Sequence, residues 1–218
     1  MSLAELRSDA HYLGPGRALA RAVYYRANRL LTLRHYRVLR QDLTAPIAQV
    51  QLPGPDFRWI MADGKQAGAY AGDLAPELDE TFLRKATAAG FRCLIVLDGN
   101  RAASMGWYTE GVAPLRGSIE VCTPPAHAYM FRGYTPPAYR GKRLHRIGLC
   151  LAANWYARRS VRGIFTIAES INYPSLKNAR TAGYKDCGAA YEVGFSNTTV
   201  IVRTRAARRT GFVIRRSD

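Results

Sequence analysis

Acidic residues are scarce in this sequence. Among 218 residues there are only 16 Asp and Glu against 32 Lys and Arg, so the formal net charge at pH 7 is +16. A surplus of this size points to an anionic partner, whether nucleic acid, a membrane surface, an acidic carrier protein or a phosphorylated small molecule.

Cysteine is scarce too, and it does not occur in pairs. The four cysteines are far apart, and neither a C-x-x-C pair, a His-x-x-x-His pair nor a Walker loop is present. The sequence therefore lacks the usual zinc-ligand spacings, and we expect no metal. Dispersed cysteines predict reduced, mostly buried thiols in a cytoplasmic protein.

Long apolar runs are missing as well. Because no run of 18 apolar residues occurs, we expect no membrane-spanning segment. Glu5, Arg7 and Asp9 interrupt the first residues of the chain, so we also expect no signal peptide.

What the sequence does contain is enough apolar material for a core, since hydrophobic residues make up 48% of it. We expect one domain over residues 1–218. The predicted elements are a helix over 17–34, a strand over 35–43, a loop over 45–76, a helix over 79–90, strands over 91–97, 101–109, 118–122 and 126–135, a helix from 144, a strand over 163–168, a helix over 174–183 and one or two strands over 189–204. This order predicts an α+β (mixed α/β) fold around one largely antiparallel sheet.

Two basic segments near the chain ends allow more than one interpretation. The Arg-rich helix over 17–34 fits a membrane surface, an acidic acyl carrier protein, or simply a first helix with its arginines in water. The tail from Arg203 onward holds six arginines, which fits either nucleic-acid binding or a solvated end of the chain.

The most informative segment is TPPAYRGKRLHRIGLCLAANWY, which covers residues 135–156. Its second half has a continuous apolar stripe at helical spacing, so it predicts a helix packed on the sheet. The basic turn Arg140-Gly141-Lys142-Arg143 precedes this helix, where the backbone N–H groups and the macrodipole favour an anion. Because Gly141 lets a ligand approach the backbone closely, we interpret the turn as a phosphate cradle.

This segment resembles the coenzyme A pyrophosphate loop of the GNAT superfamily of N-acetyltransferases. That signature is Arg/Gln-x-x-Gly-x-Gly/Ala, often P-x-Y-R-G-K-G-I-G. The matching residues here are Pro137, Tyr139, Arg140, Gly141 and Lys142. Arg143 and His145 stand where the signature has its two later glycines.

A second segment, IAESINYPSLKNARTAGY, resembles the GNAT strand followed by Asn-x-x-Ala/Ser, a helix and Gly-Phe. Asn172, Ser175, Gly183 and Tyr184 fall on those positions. The two segments occur in family order, and the resemblance covers about residues 75–200. It implies a GNAT-like fold with a mostly antiparallel, twisted and splayed sheet flanked by helices. It also implies acetyl-CoA or another acyl-CoA as donor. The residues that it assigns to the donor are Thr135, Arg140, Gly141, Lys142, Arg143, Leu144, His145, Asn172 and Ser175.

The resemblance implies transfer of an acyl group from a thioester to a primary amine of a small molecule. The amine must lose a proton, the oxyanion must be stabilised and the thiolate must gain a proton. Glu169 is the first candidate base and Glu120 the second, and His127 and His145 also come into question. The family's usual acid is a Tyr at the position of Ala179, so Ser175, Tyr173 and Tyr184 are the substitutes.

Two other functions remain open at this point. An acyl carrier protein could replace coenzyme A as donor, given the positive charge and the altered loop. Alternatively, the chain could be a basic nucleic-acid-binding protein, although it has no RNA-recognition or helix-turn-helix pattern.

Overall fold

The computed structural model describes residues 10–11, 13–28, 32–195 and 198–217. Three sequence predictions reach beyond this part of the chain: the N-terminal segment with Glu5, Arg7 and Asp9, residues 29–31 of the predicted first helix, and residues 196–197 of the last strands.

The chain alternates between helices and two sheets. The helices are α1 (Pro15–Ala27), α2 (Gly64–Gly68), α3 (Glu80–Ala88), α4 (Leu144–Ala157), α5 (Tyr173–Thr181) and α6 (Arg205–Arg209), with a 3₁₀ turn at Pro137–Tyr139. The strands are β1 (Thr32–Asp42), β2 (Phe57–Ala62), β3 (Arg92–Asp98), β4 (Arg101–Thr109), β5 (Val112–Arg116), β6 (Ile119–Cys122), β7 (His127–Tyr134), β8 (Gly163–Glu169), β9 (Lys185–Phe195), β10 (Thr198–Arg203) and β11 (Val213–Arg216). No helix in the described residues is long and apolar enough to cross a membrane.

Eight strands form the main sheet in the order β10-β9-β1-β8-β7-β4-β3-β2, and β11-β6-β5 form a small second sheet. In the main sheet only β7 and β8 pair in parallel, and every other neighbouring pair is antiparallel. The predicted α+β class with a largely antiparallel sheet is therefore confirmed.

Apolar side chains pack on both faces of the main sheet. One cluster lies on the side of α3 and the small sheet, and the other lies under α4 and α5. The strands β3 and β4 are apolar and almost wholly buried, as expected for strands covered on both faces. In α4 most of the predicted stripe is buried, namely Leu144, Ile147, Gly148, Ala152 and Tyr156, while Leu151 and Trp155 are partly buried.

Three sequence predictions need correction. The first helix ends at Ala27, because Asn28 follows as its C-cap and its side-chain Oδ1 accepts a hydrogen bond from the Leu33 backbone N–H at 2.8 Å, where β1 has begun. Residues 45–76 are not all loop, since β2 pairs with β3 and a capping box of Asp63 and Gln66 starts α2. The arginine-rich tail is not a solvated end. It forms α6 and β11, and Phe212 is fully buried.

Candidate functional site

The site begins where the two parallel strands separate. The pairing of β7 with β8 runs from His127 opposite Gly163 to Met130 opposite Thr166. At that point the Thr166 hydroxyl donates to the Met130 carbonyl at 3.1 Å. Both strands continue beyond it, to Tyr134 and to Glu169, with no further register between them. A gap therefore opens between their carboxyl ends.

A β-bulge in β7 borders this gap. Tyr134 pairs with Met105 and Phe131 with Trp107, so β7 has one residue more than β4 over the same stretch. Arg132, inside the bulge, has a φ of 49°. Because the extra residue of a bulge leaves the ladder, the backbone at residues 132–133 departs from regular pairing with β4 beside the gap.

The gap widens into a cavity of about 570 Å³. One part of it is mostly aromatic and lined by Tyr25, Tyr36, Phe82, Tyr129 and Phe131. The other part reaches through the sheet to residues of α4 and α5, namely His145, Leu149, Asn172, Ser175 and Ala179. The cavity thus connects the two faces of the sheet through the strand gap.

The predicted phosphate loop lies at the start of α4. Gly141 has a φ of 83°, and Arg143, the residue before the helix, has φ 60° and ψ 17°. Arg143 therefore adopts the left-handed conformation that usually requires the glycine of the signature. It makes no side-chain cap and the first turn has no acidic residue, so the backbone N–H groups of that turn and the positive end of the macrodipole remain without a capping anion.

The cations of this loop surround the helix start. Arg140, Lys142 and Arg143 are exposed, and the Arg140 Nε donates to the Thr135 carbonyl at 3.3 Å. The Thr135 Oγ1 lies 2.9 Å from the Ser104 Oγ, which fixes the end of β7 against β4. Exposed cations and helix N–H groups thus lie together at the start of α4, an arrangement that favours an anion.

His145 occupies the gap beside this turn. A Cβ built on Gly133 would lie 2.5 Å from the His145 Cε1, so the ring rests directly on the Gly133 backbone. Burial lowers the pKa of His145 from 6.5 to about 4, so the imidazole is neutral at physiological pH. A side chain at residue 133 would force this ring and the Met130 methyl group to shift.

The start of α5 contributes the second predicted pair. The Asn172 side-chain oxygen caps the helix by accepting from the Ser175 backbone N–H at 3.3 Å. Both residues line the cavity, and so does Ala179, where the resemblance expects a tyrosine. The guanidinium of Arg17 in α1 lies over the Tyr173 ring at 5.1 Å, so α1 packs at this end of the cavity.

Glu169 lies at the end of β8 and lines the cavity. Its Oε1 is in an ion pair with Arg34 from the neighbouring strand β1. Its Oε2 is buried and has no hydrogen-bond partner among the described residues. A buried carboxylate oxygen without a partner is costly, so this oxygen is an acceptor that a donor in the cavity can satisfy.

Beside Glu169 is a polar cluster that the sequence did not reveal. The Tyr36 hydroxyl donates to the Glu192 Oε2 at 2.9 Å, and Arg116 forms an ion pair with the same carboxylate. Glu192 is only 1% exposed. Burial, followed by the negative charge of Glu192, raises the pKa of Tyr36 well above its usual value, so the phenol stays protonated. The three residues come from distant parts of the chain, and no local pattern links them.

Other candidates lie elsewhere. Glu120 is on β6 in the small sheet and accepts a hydrogen bond from the Arg215 Nε at 2.7 Å. Its strand partner Pro114 lines the cavity, but Glu120 itself does not. His127 begins β7 at the opposite end from the gap. Tyr184 is 2% exposed within the apolar cluster under α4 and α5 and does not line the cavity.

Comparison with known proteins gives no match in sequence but several matches in fold. No protein-family model matches the chain, and no curated protein sequence matches it. A GCN5-related N-acetyltransferase from Sphaerobacter thermophilus aligns with a TM-score of 0.51 at 13% identity, over 84% of this chain and 56% of that one.

Two further solved structures align similarly. A GNAT-family acetyltransferase from Colwellia psychrerythraea has a TM-score of 0.51 at 13% identity, over 73% of this chain and 55% of that one. A GCN5-related N-acetyltransferase-like protein from Streptococcus suis has a TM-score of 0.50 at 14% identity, over 81% and 68%. The chain thus spans little more than half the length of the first two. At such identities the likeness concerns the fold, and this chain has the fold of the GCN5-related N-acetyltransferases.

Proposed function

We propose that this protein is an N-acyltransferase that moves an acetyl or longer acyl group from coenzyme A to a primary amine of a small molecule. The observation that carries the proposal is the gap between β7 and β8, which leads from an uncapped, cationic helix start to an unpartnered carboxylate oxygen. The fold agrees with this proposal.

The donor end fits a pyrophosphate. Backbone N–H groups of the first turn of α4 point to the loop, and Arg140, Lys142 and Arg143 add charge-assisted hydrogen bonds. The donor thioester supplies an activated acyl group. Because the His145 ring lies on Gly133, a donor arm that enters the gap must contact or displace this ring.

The acceptor end fits an amine that must be deprotonated. In our proposal Glu169 accepts a proton from the amine through its unpartnered Oε2, while Arg34 holds Oε1 and fixes the orientation of the carboxylate. In our proposal the backbone N–H groups at the bulge, at residues 132–133, stabilise the oxyanion. The Ser175 hydroxyl lines the same cavity and donates a hydrogen bond to the departing thiolate, which leaves as the anion and takes its proton from water.

A carrier-protein donor is the second candidate. The observation that favours it is the loop itself, since its three exposed cations can also bind an acidic protein surface. The cavity and the carboxylate would keep the same roles, and only the source of the thioester would differ.

The test is a thiol-release assay. Purified protein is mixed with a panel of small primary amines and with acetyl-CoA, longer acyl-CoAs or an acylated acidic carrier protein, and the free thiol is titrated. We expect amine-dependent release from an acyl-CoA. Release from the carrier protein alone would transfer the proposal to the second donor, and release from neither would overturn it.

A further inference from the structure

One face of the main sheet carries an apolar patch that the described chain leaves open. It consists of Leu33 on β1, Tyr191 and Val193 on β9, and Val200 and Val202 on β10. Their exposures are 53%, 38%, 49%, 54% and 54%, in that order. Single exposed apolar residues are ordinary, but five on adjacent strands are not.

The strand register places these side chains in two neighbouring rows. Leu33 and Val200 both pair with Val193, and Val202 pairs with Tyr191. His35 completes the second row, and its ring stacks on that of Tyr191 at 4.7 Å with an angle of 8° between the planes. Because cross-strand partners point to the same face, the patch is contiguous.

The opposite face of these strands is covered. Tyr36, Ala190 and Ile201 point to that side and pack in the core cluster with the small sheet. Leu33 and Leu39 lie on the same face of β1. That face is uncovered at Leu33, but toward the end of the strand α4 and α5 cover it, and Leu39 is fully buried there. The patch is thus the continuation of a core-forming surface beyond the last helix that covers it.

Charge decides which partner fits this patch. The whole chain carries +16, yet none of the six residues in the two rows is Lys, Arg, Asp or Glu. In the next row Arg37 bonds to Asp186 at 2.9 Å through its Nε. On a strongly cationic protein, such a charge-free surface is where two copies can meet without bringing unpaired cations together.

The area also agrees with a self-association surface. Side chains of this size that are about half exposed present on the order of 100 Å² each, so the patch approaches 500 Å². That is more than half of the roughly 800 Å² that each partner buries in a standard protein interface. The rim of such an interface supplies the remainder.

We infer that this patch is the interface of a twofold-symmetric dimer in which two copies of the chain bury their β1-β9-β10 faces against each other. Such an interface uses the same surface on both copies. The inference does not depend on the proposed transferase activity.

The experiment is sedimentation equilibrium of the purified full chain from nanomolar to high micromolar concentration. We expect a mass of twice 24.2 kDa at the upper end. The variant Val193→Glu/Val200→Lys places an opposite-charge pair across the strands, which keeps the sheet paired but puts charge into the interface. It should sediment as a monomer. Val112→Lys, at an exposed valine on the small sheet, is the matched control and should remain dimeric.

A milder variant covers the case in which the charged one does not fold. Val193→Thr/Val200→Thr keeps side-chain shape and strand propensity, and it should weaken dimerisation by about tenfold or more. Raising the salt concentration should leave the dimer intact, because burial of apolar surface drives it. A wild-type monomer at every concentration, unchanged dimerisation in the threonine variant, or association that salt abolishes would each overturn the inference.

Discussion

At the residue scale, Glu169 carries most of the proposed chemistry. One of its oxygens is held by Arg34, and the other is buried beside the cavity without a hydrogen-bond partner in the part of the chain that the structure describes. Replacing it with Gln keeps the size and removes the ability to accept a proton. We expect Glu169→Gln to lower kcat by about 10²- to 10⁴-fold, the usual contribution of a general base.

The matched control for this variant is Glu120→Gln. Glu120 is also bonded to an arginine, but it is not among the residues that line the cavity. Steady-state kinetics should show it near wild type. Equal kcat values for Glu169→Gln and wild type would remove Glu169 from the mechanism.

His145 gives a prediction about pH and stability. Its pKa is about 4 in the folded protein against 6.5 ordinarily. As the pH falls, His145 therefore takes up a proton at a higher pH in the unfolded chain than in the folded chain. The neutral ring's contribution is therefore complete above pH 6.5 and is lost as the pH falls towards 4, by up to about 1.4 kcal/mol per pH unit.

Urea denaturation of wild type and His145→Asn at several pH values tests this. Because both proteins share every other titrating group, the difference between their free energies of unfolding isolates His145. We expect this difference to change between pH 6.5 and 4 and to be constant above that range. If the two free energies of unfolding differ by the same amount at every pH, burial does not lower the pKa of His145.

At the scale of elements, the basic turn before α4 has a left-handed arginine at a position where the signature has a glycine. Arg143 has the left-handed conformation of the glycine it replaces, which costs a non-glycine residue about 1 to 2 kcal/mol. Arg143→Gly should therefore raise the free energy of unfolding by about 1 kcal/mol, because the relief of strain exceeds the entropy cost of glycine.

The control is Arg158→Gly at the other end of α4, where φ is −79°. No strain exists to be relieved there, so this change should leave stability unchanged or lower it. If both variants lose stability equally in urea denaturation, Arg143 carries no strain.

The C-terminal segment is part of the core. Phe212 is fully buried, and its ring lies 4.9 Å from that of Phe165 and 5.6 Å from that of Tyr129. Phe212→Ala should lower the free energy of unfolding by about 3 to 5 kcal/mol, whereas the exposed Arg216→Ala should change it by less than about 0.5 kcal/mol. Similar melting curves for both variants would show that the tail is dispensable.

What could be predicted from sequence follows from how local each signal is. The apolar stripe of α4 and the buried run of β3 lie within single segments, and their patterns indicated the right elements. By contrast, the sequence around Phe212 is rich in arginine and gives no local sign of a buried position. Phe212 is buried because its ring packs against Tyr129 of β7 and Phe165 of β8. The loop prediction over 45–76 failed because β2 depends on pairing with β3.

The candidate site divides in the same way. The basic turn is local and could be read from the sequence, and Asn172 and Ser175 were indicated by the resemblance, whereas the Tyr36–Glu192–Arg116 cluster joins three distant segments. The bulge at Arg132 was also out of reach, because only the register with β4 defines it.

At the scale of the whole molecule, the site draws on nearly the full chain. Arg34 and Tyr36 come from the first strand, Arg116 from the small sheet and Glu192 from near the end. The first strand lies between β8 and β9, and its residues Tyr36 and Leu39 line the cavity. Removing β1 should therefore abolish the cavity and separate β9 and β10 from the rest of the sheet.

The most direct test of the central claim is calorimetric titration of coenzyme A into three proteins at the same ionic strength. These are the wild type, Arg140→Ala/Lys142→Ala in the loop, and Arg158→Ala/Arg162→Ala at the far end of α4, which loses the same net charge. We predict that wild type and the far-end variant bind equally and that the loop variant binds at least about tenfold more weakly, since it loses charge-assisted hydrogen bonds. No binding by wild type, or equal weakening in both variants, would contradict a coenzyme A site at the start of α4.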